Sequence, residues 1–176
     1  MNTAELYRLQ SRQREHDVRH HADIYGGDPK RRMTHYELHY AKYVGRLIEL
    51  MRQPDDTVLA AGLDKIVTDA FIITLAASDA LNIDFNGMTD QALRLPQPSK
   101  RKAAEELMLD LGVYQGGIAK ALDSYDHLEN FACSEQLRSC TKEIMRVLLA
   151  TAGSVGLNLE PATFTRWKEI EAKRIL

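Results

Sequence analysis

The stretch DKIVTDAFIITLAASDALNIDF, residues 64–85, decides the fold. It is long, largely apolar and free of Gly and Pro until Gly87, so it reads as a core helix rather than a strand. Asp69 is out of place in it. On a helix it shares a surface with Ile66, Ile72, Ile73 and Ala76, all apolar. A carboxylate there needs a cation, a metal or a hydrogen-bond network, because burying it alone is costly. The plainest solution is a structural ion pair, with Lys65 as the adjacent cation.

Working outward, the 176 residues are enough for one good core, and the formal net charge of −2 gives no electrostatic case for DNA, RNA or a membrane surface. The longest apolar run, residues 70–77 with Thr74 inside it, falls far short of the ~20 residues of a membrane span. The polar opening MNTAELYRLQSRQREHD has no signal-peptide core, and the two cysteines, Cys133 and Cys140, build neither a zinc site nor a disulfide framework. A cytoplasmic protein with small buried thiols is the expectation.

Upstream, residues 3–23 favour a helix with few strong apolar positions, Leu6, Leu9 and Val18, and so read as a peripheral, mostly solvated arm. A turn at Gly26-Gly27-Asp28-Pro29 ends it, and Lys30-Arg31-Arg32 leads into an amphipathic helix over 34–52 with Tyr36, Tyr40, Val44, Leu47 and Met51 as its core stripe. Asp55 and its neighbours offer an N-cap for the central helix. Downstream, residues 88–99 carry Pro96 and Pro98 and read as a linker. Ser99 is an N-cap, Lys100-Arg101-Lys102 leads into another amphipathic helix, and a break near 124–129 precedes a long apolar helix ending near Leu157. Pro161 stops that helix, and residues 163–175 form a last one carrying Trp167. The class is all-α.

The two halves share a plan of basic triplet, amphipathic helix, break, apolar helix and turn, over about 30–90 and 100–160. Sliding residues 70–84 by 74 places Leu75 on Leu149, Ala76 on Ala150 and Asp69 on Glu143. A duplicated helical hairpin follows, two copies packing into a four-helix core, with accessory helices at both ends of a single domain over 1–176. The apolar helices also offer a surface for a homodimer.

Two histidine pairs stand at helical spacing, His16 with His20 and His35 with His39. Such pairs can hold a metal, but HExxH is absent, and a solvated helix face is the simpler reading. The basic triplets can grip phosphates, or they are solvated turns. Neither GxxxxGK[ST] nor GxGxxG occurs. Trp167, flanked by Arg166 and Lys168, can stack on a base, though a docking contact for the last helix is the plainer role.

The central stretch TDAFIITLAASDALNID resembles the second motif of the MazG-like, all-α nucleotide pyrophosphohydrolases, in which ExxD precedes an apolar helix ending Leu-Gly-Ile-Asp. Asp69 matches the motif Asp, and residues 81–84 match that ending. The helix HYAKYVGRLIEL resembles the first motif, through Gly45, Leu47 and Glu49. The resemblance covers roughly residues 34–84, with a fainter copy over 105–158. It implies a four-helix core and cleavage of a nucleoside triphosphate to monophosphate and pyrophosphate, with carboxylates holding Mg²⁺. Carried onto this chain, it makes Asp69 and Glu49 catalytic metal ligands joined by Glu143, and leaves Lys42, Arg31 and Arg46 to contact the phosphates.

The chain departs from that pattern at named positions. Ile66 stands for the motif Glu, Tyr43 and Arg46 for the first ExxE pair, and Cys140 for the Glu before Glu143. The alternative to a divergent pyrophosphohydrolase is therefore a non-catalytic module that binds a nucleotide or a protein, with Asp69 and Glu143 as structural ions paired to Lys65 and Arg146. Convergence of Asp69, Glu49 and a third carboxylate on one pocket would favour the hydrolase. A cation filling that space would favour the module.

Overall fold

The computed structural model describes residues 1–88, 99–130 and 132–173. Seven helices follow one another: α1 Thr3–His20, α2 Ala22–Tyr25, α3 Pro29–Met51, α4 Asp56–Ala80, α5 Lys100–Asp126, α6 Cys133–Val155 and α7 Leu159–Ala172. No strand occurs among the described residues. None of the helices is long and apolar enough to cross a membrane. The expected linker falls mostly on residues 89–98, outside the described residues.

The helix boundaries follow local chemistry. Asp28 caps α3 by accepting from the Arg31 N–H, with Pro29 at the first position, so α3 begins well before the expected Thr34. The basic triplet 30–32 is thus the first turn of the helix. Asp55 caps α4 and Ser99 caps α5 as their sequence contexts predict. Pro161 does not stop a helix. It sits in the first turn of α7, where a missing N–H breaks no intrahelical bond.

Helices α3 and α4 form one hairpin and α5 and α6 another, and α3 packs on α5 and α4 on α6 to close a four-helix core. Residues 66–78 of α4 are buried apart from the half-buried Ile73, so this helix is covered all round, as its near-uniform apolarity requires. Gly62 gives that hairpin its close approach: a Cβ there would stand 2.6 Å from Leu50 Cδ1.

The N-terminal arm is not peripheral. α1 lies across α4, and α7 packs against both. The buried stripe of α1 runs Leu6, Leu9, Gln10, Gln13, His16 and Asp17, while Val18 is 50% exposed. Its first half is apolar and its second half polar, so hydrophobicity alone hides the fact that one helical face is buried throughout. Ion pairs fasten the arm: Arg14 and Arg32 share the nearly buried Asp79 carboxylate, Arg8 meets Glu160 of α7, and the Tyr7 hydroxyl donates to Asp84. Asp84 therefore ties the chain after α4 to α1.

Candidate functional site

A cavity of about 280 Å³ lies between α3 and α4 and is roofed by α1, α2 and α7. Its apolar floor is Ile72, Ile73 and Ala76 of α4, with Ile24 and Ile170 from the roof. One face of α3 supplies His35, Tyr36, His39, Lys42, Tyr43 and Arg46, residues three and four apart that project side by side. From α1 come Gln13, His16 and Asp17. The polar half of the buried face of α1 lines the cavity where that helix passes over α4.

Asp69 lines this cavity, 7% exposed, and its partner is Arg166 of α7 rather than Lys65. The guanidinium grips both carboxylate oxygens, Nε donating to Oδ1 and Nη2 to Oδ2 at 3.3 Å. Arg166 also donates to Glu169 at 2.9 Å. Asp69, through that hydrogen bond, holds the Arg166 guanidinium even more firmly protonated than usual. Trp167, next in the chain, is buried, and its indole N–H donates to Gln13 Oε1 at 2.7 Å. It docks α7 on α1 and offers no open face for a base.

The two other cations of the cavity differ from Arg166. Lys42 Nζ donates to His39 Nδ1 at 2.9 Å and lies over the Tyr43 ring, 4.9 Å from its centroid, without a carboxylate partner among the described residues. Burial first, and then the field of Arg46, lower its pKa. Arg46, one turn further along α3, makes no hydrogen bond or ion pair with a described residue. His39 is held neutral: burial, followed by Lys42, pushes its pKa down to about 4. Its Nδ1 accepts from Lys42, so the ring proton sits on Nε2. His35 is lowered too, chiefly by burial. The His35 and His39 face is thus half-buried cavity wall rather than solvated surface. Burial raises the Tyr36 and Tyr43 hydroxyls, which stay protonated as neutral donors.

The sequence-predicted site residues separate into three places. Asp69, Lys42 and Arg46 meet in the cavity. Glu49 is exposed on α3 outside the cavity lining, and Arg31 is exposed at the start of α3 with its side chain unpaired among the described residues. Glu143 lies on α6 in a separate shallow groove, where Arg146 is its ion-pair partner. The three carboxylates do not come together as a metal-holding group. Other residues of the basic triplets serve as ties: Lys30 to Asp126, Lys100 to Asp64, and Arg101 to Asp56 and to the carbonyls of Met51, the last residue of α3, and Gln53 just past it.

Sequence reading passed over Arg166 as a cavity residue, along with Gln13, His16 and Asp17. Their signal is the helical continuation of the Leu6 and Leu9 stripe into polar residues. Positions 43, 46 and 69, three of those the motif comparison picks out, do line one cavity, but Tyr and Arg stand at two of them. Compared with protein-family models, curated proteins and solved structures, the chain matches none, and the site is read from its geometry.

Proposed function

We propose that the chain is a non-catalytic binding module for a small anionic ligand of mononucleotide size. One observation carries this reading. Lys42 and Arg46 stand one turn apart at the cavity without a carboxylate between them, while Asp69, whose field reaches Lys42, is engaged by Arg166. Like charges at that spacing repel, and an anion seated between them relieves the repulsion. The apolar floor and the tyrosines suit a ring or sugar, and the volume is at the small end of ligand pockets.

A divergent Mg²⁺-dependent pyrophosphohydrolase is the second reading, favoured by the convergence of positions 43, 46 and 69 on one cavity. The residues present fit that metal poorly. Asp69 is already saturated by a guanidinium, Arg46 would repel a dication, and Glu49 and Glu143 lie elsewhere.

Calorimetric titration with AMP, ATP, pyrophosphate and inorganic phosphate, with and without Mg²⁺ and with product analysis, tests both. The expected result is Mg²⁺-independent binding of a mononucleotide, weakened about tenfold or more by Arg46→Gln or Lys42→Gln, without pyrophosphate release. Mg²⁺-dependent release of pyrophosphate, lost in Asp69→Asn, would overturn the binding module in favour of the hydrolase. Absence of binding by all four compounds would overturn both.

A further inference from the structure

The cavity's roof contains a second arrangement that the anion site does not use. His16 is 7% exposed, yet neither of its ring nitrogens has a hydrogen-bond partner among the described residues. An imidazole stripped of water on both nitrogens is costly to bury unless something else takes a lone pair. His20 stands one turn along α1, with the two ring centroids 4.8 Å apart. Glu171 reaches in from α7: its Oε1 is 3.9 Å from His16 Nε2 and 3.8 Å from His20 Nε2.

We propose that His16, His20 and Glu171 form a binding site for a divalent transition-metal ion of the zinc class, clipping α7 onto α1. Three donors, two imidazole nitrogens and one carboxylate oxygen, all lie within 4.8 Å of one another. A tetrahedral ion with bonds of about 2.0–2.1 Å holds its ligands roughly 3.3 Å apart, so the two Glu171 contacts close by about half an ångström and the two imidazole nitrogens by up to about 1.5 Å. Glu171 and His20 have that freedom, with side chains 46% and 30% exposed. The set leaves a fourth position for water or a ligand, and nitrogen-rich donors disfavour Mg²⁺ and Ca²⁺. On the far side of the His16 ring, Asp17 Oδ1 lies 3.9 Å from Nδ1. That carboxylate, itself held by Gln13 Nε2 at 2.8 Å, would accept a hydrogen bond from Nδ1–H once it closes by several tenths of an ångström, fixing the tautomer that presents Nε2 to a metal. The same ring that faces the ion also lines the cavity.

The site reports on itself, because the chain has a single tryptophan and Trp167 is stacked 6.1 Å from the His16 ring. Chelator-treated protein is titrated with Zn²⁺ by calorimetry and with Co²⁺ by absorption and Trp167 fluorescence, and melting is followed with and without Zn²⁺. The expected result is one equivalent bound, fluorescence quenched by Co²⁺, and a higher melting temperature with Zn²⁺. His20→Ala and Glu171→Gln each weaken binding at least tenfold while leaving helicity and the metal-free melting temperature unchanged. His39→Gln, on the other histidine pair, leaves metal binding intact. Failure to bind Zn²⁺ at millimolar concentration would overturn the proposal, and so would binding unaffected by both His20→Ala and Glu171→Gln.

Discussion

Asp69 on α4 and Glu143 on α6 are the two carboxylates that sliding one half of the sequence over the other pairs, and their surroundings differ sharply. At Asp69, α1 and α7 lie over the helix, the carboxylate is nearly buried, and its partner Arg166 comes from a position 97 residues away. At Glu143 the surface is an open groove, and the partner is Arg146, three residues along the same helix. Side-chain exposures are 8% and 17% for the first pair and 32% and 41% for the second. The same class of residue is thus part of a site in one half and surface decoration in the other. What differs is the covering layer, not the hairpin.

The largest break in that comparison is Arg166→Ala. It strands a desolvated carboxylate and should cost about 3 kcal/mol in urea denaturation. Arg146→Ala removes a solvated pair and should cost less than about 0.5 kcal/mol. Equal effects would mean that the roof does not desolvate Asp69. A sharper version replaces both buried partners: Asp69→Leu with Arg166→Met should recover most of the loss, because no lone charge remains.

A smaller effect concerns pH. The unfolded chain binds a proton on His39 near pH 6.5, whereas the folded chain binds it only near pH 4, because burial and Lys42 oppose the charge. Between those values the unfolded state holds more protons, so stability falls as pH falls through the window and levels off below it. Water reaches part of the ring, and the loss attributable to His39 should be on the order of 1 kcal/mol. Chemical denaturation of the wild type and His39→Gln at pH 7 and pH 4.5 measures it. The variant should lose less stability than the wild type, and identical losses would show that His39 is more open than its position in the cavity wall suggests. The smallest effect is that of Arg46→Gln, which removes the repulsion with Lys42 and should raise stability by up to about 0.5 kcal/mol while weakening anion binding. A stability gain without a binding loss would separate Arg46 from the site.

The helical class was legible because α3, α4, α5 and α6 each carry apolar residues at helical spacing, with Asp55 and Ser99 readable as caps; Asp28 read as part of a turn and caps α3 only in the structure. Part of the site was legible as well. Asp69 announced itself as a carboxylate on an apolar helix, and Lys42 and Arg46 sit on the same α3 face as Tyr36 and Tyr43. Glu143 aligned with Asp69 along the chain and Glu49 stood as its partner ligand, but both lie outside the cavity lining.

By itself, the sequence determined the helical class, the Asp55 and Ser99 caps and that Asp69 needed a partner, since these follow from contacts within a few residues and from the cost of burying charge. Only the tertiary structure decided which partner it found and that a cavity exists. Those depend on α1 and α7 crossing α4, held by Trp167 on Gln13 and Arg166 on Asp69, contacts between residues 154 and 97 positions apart. Local periodicity carries no record of such distant pairs, because a polar residue on a helix reads the same whether water or another helix covers it.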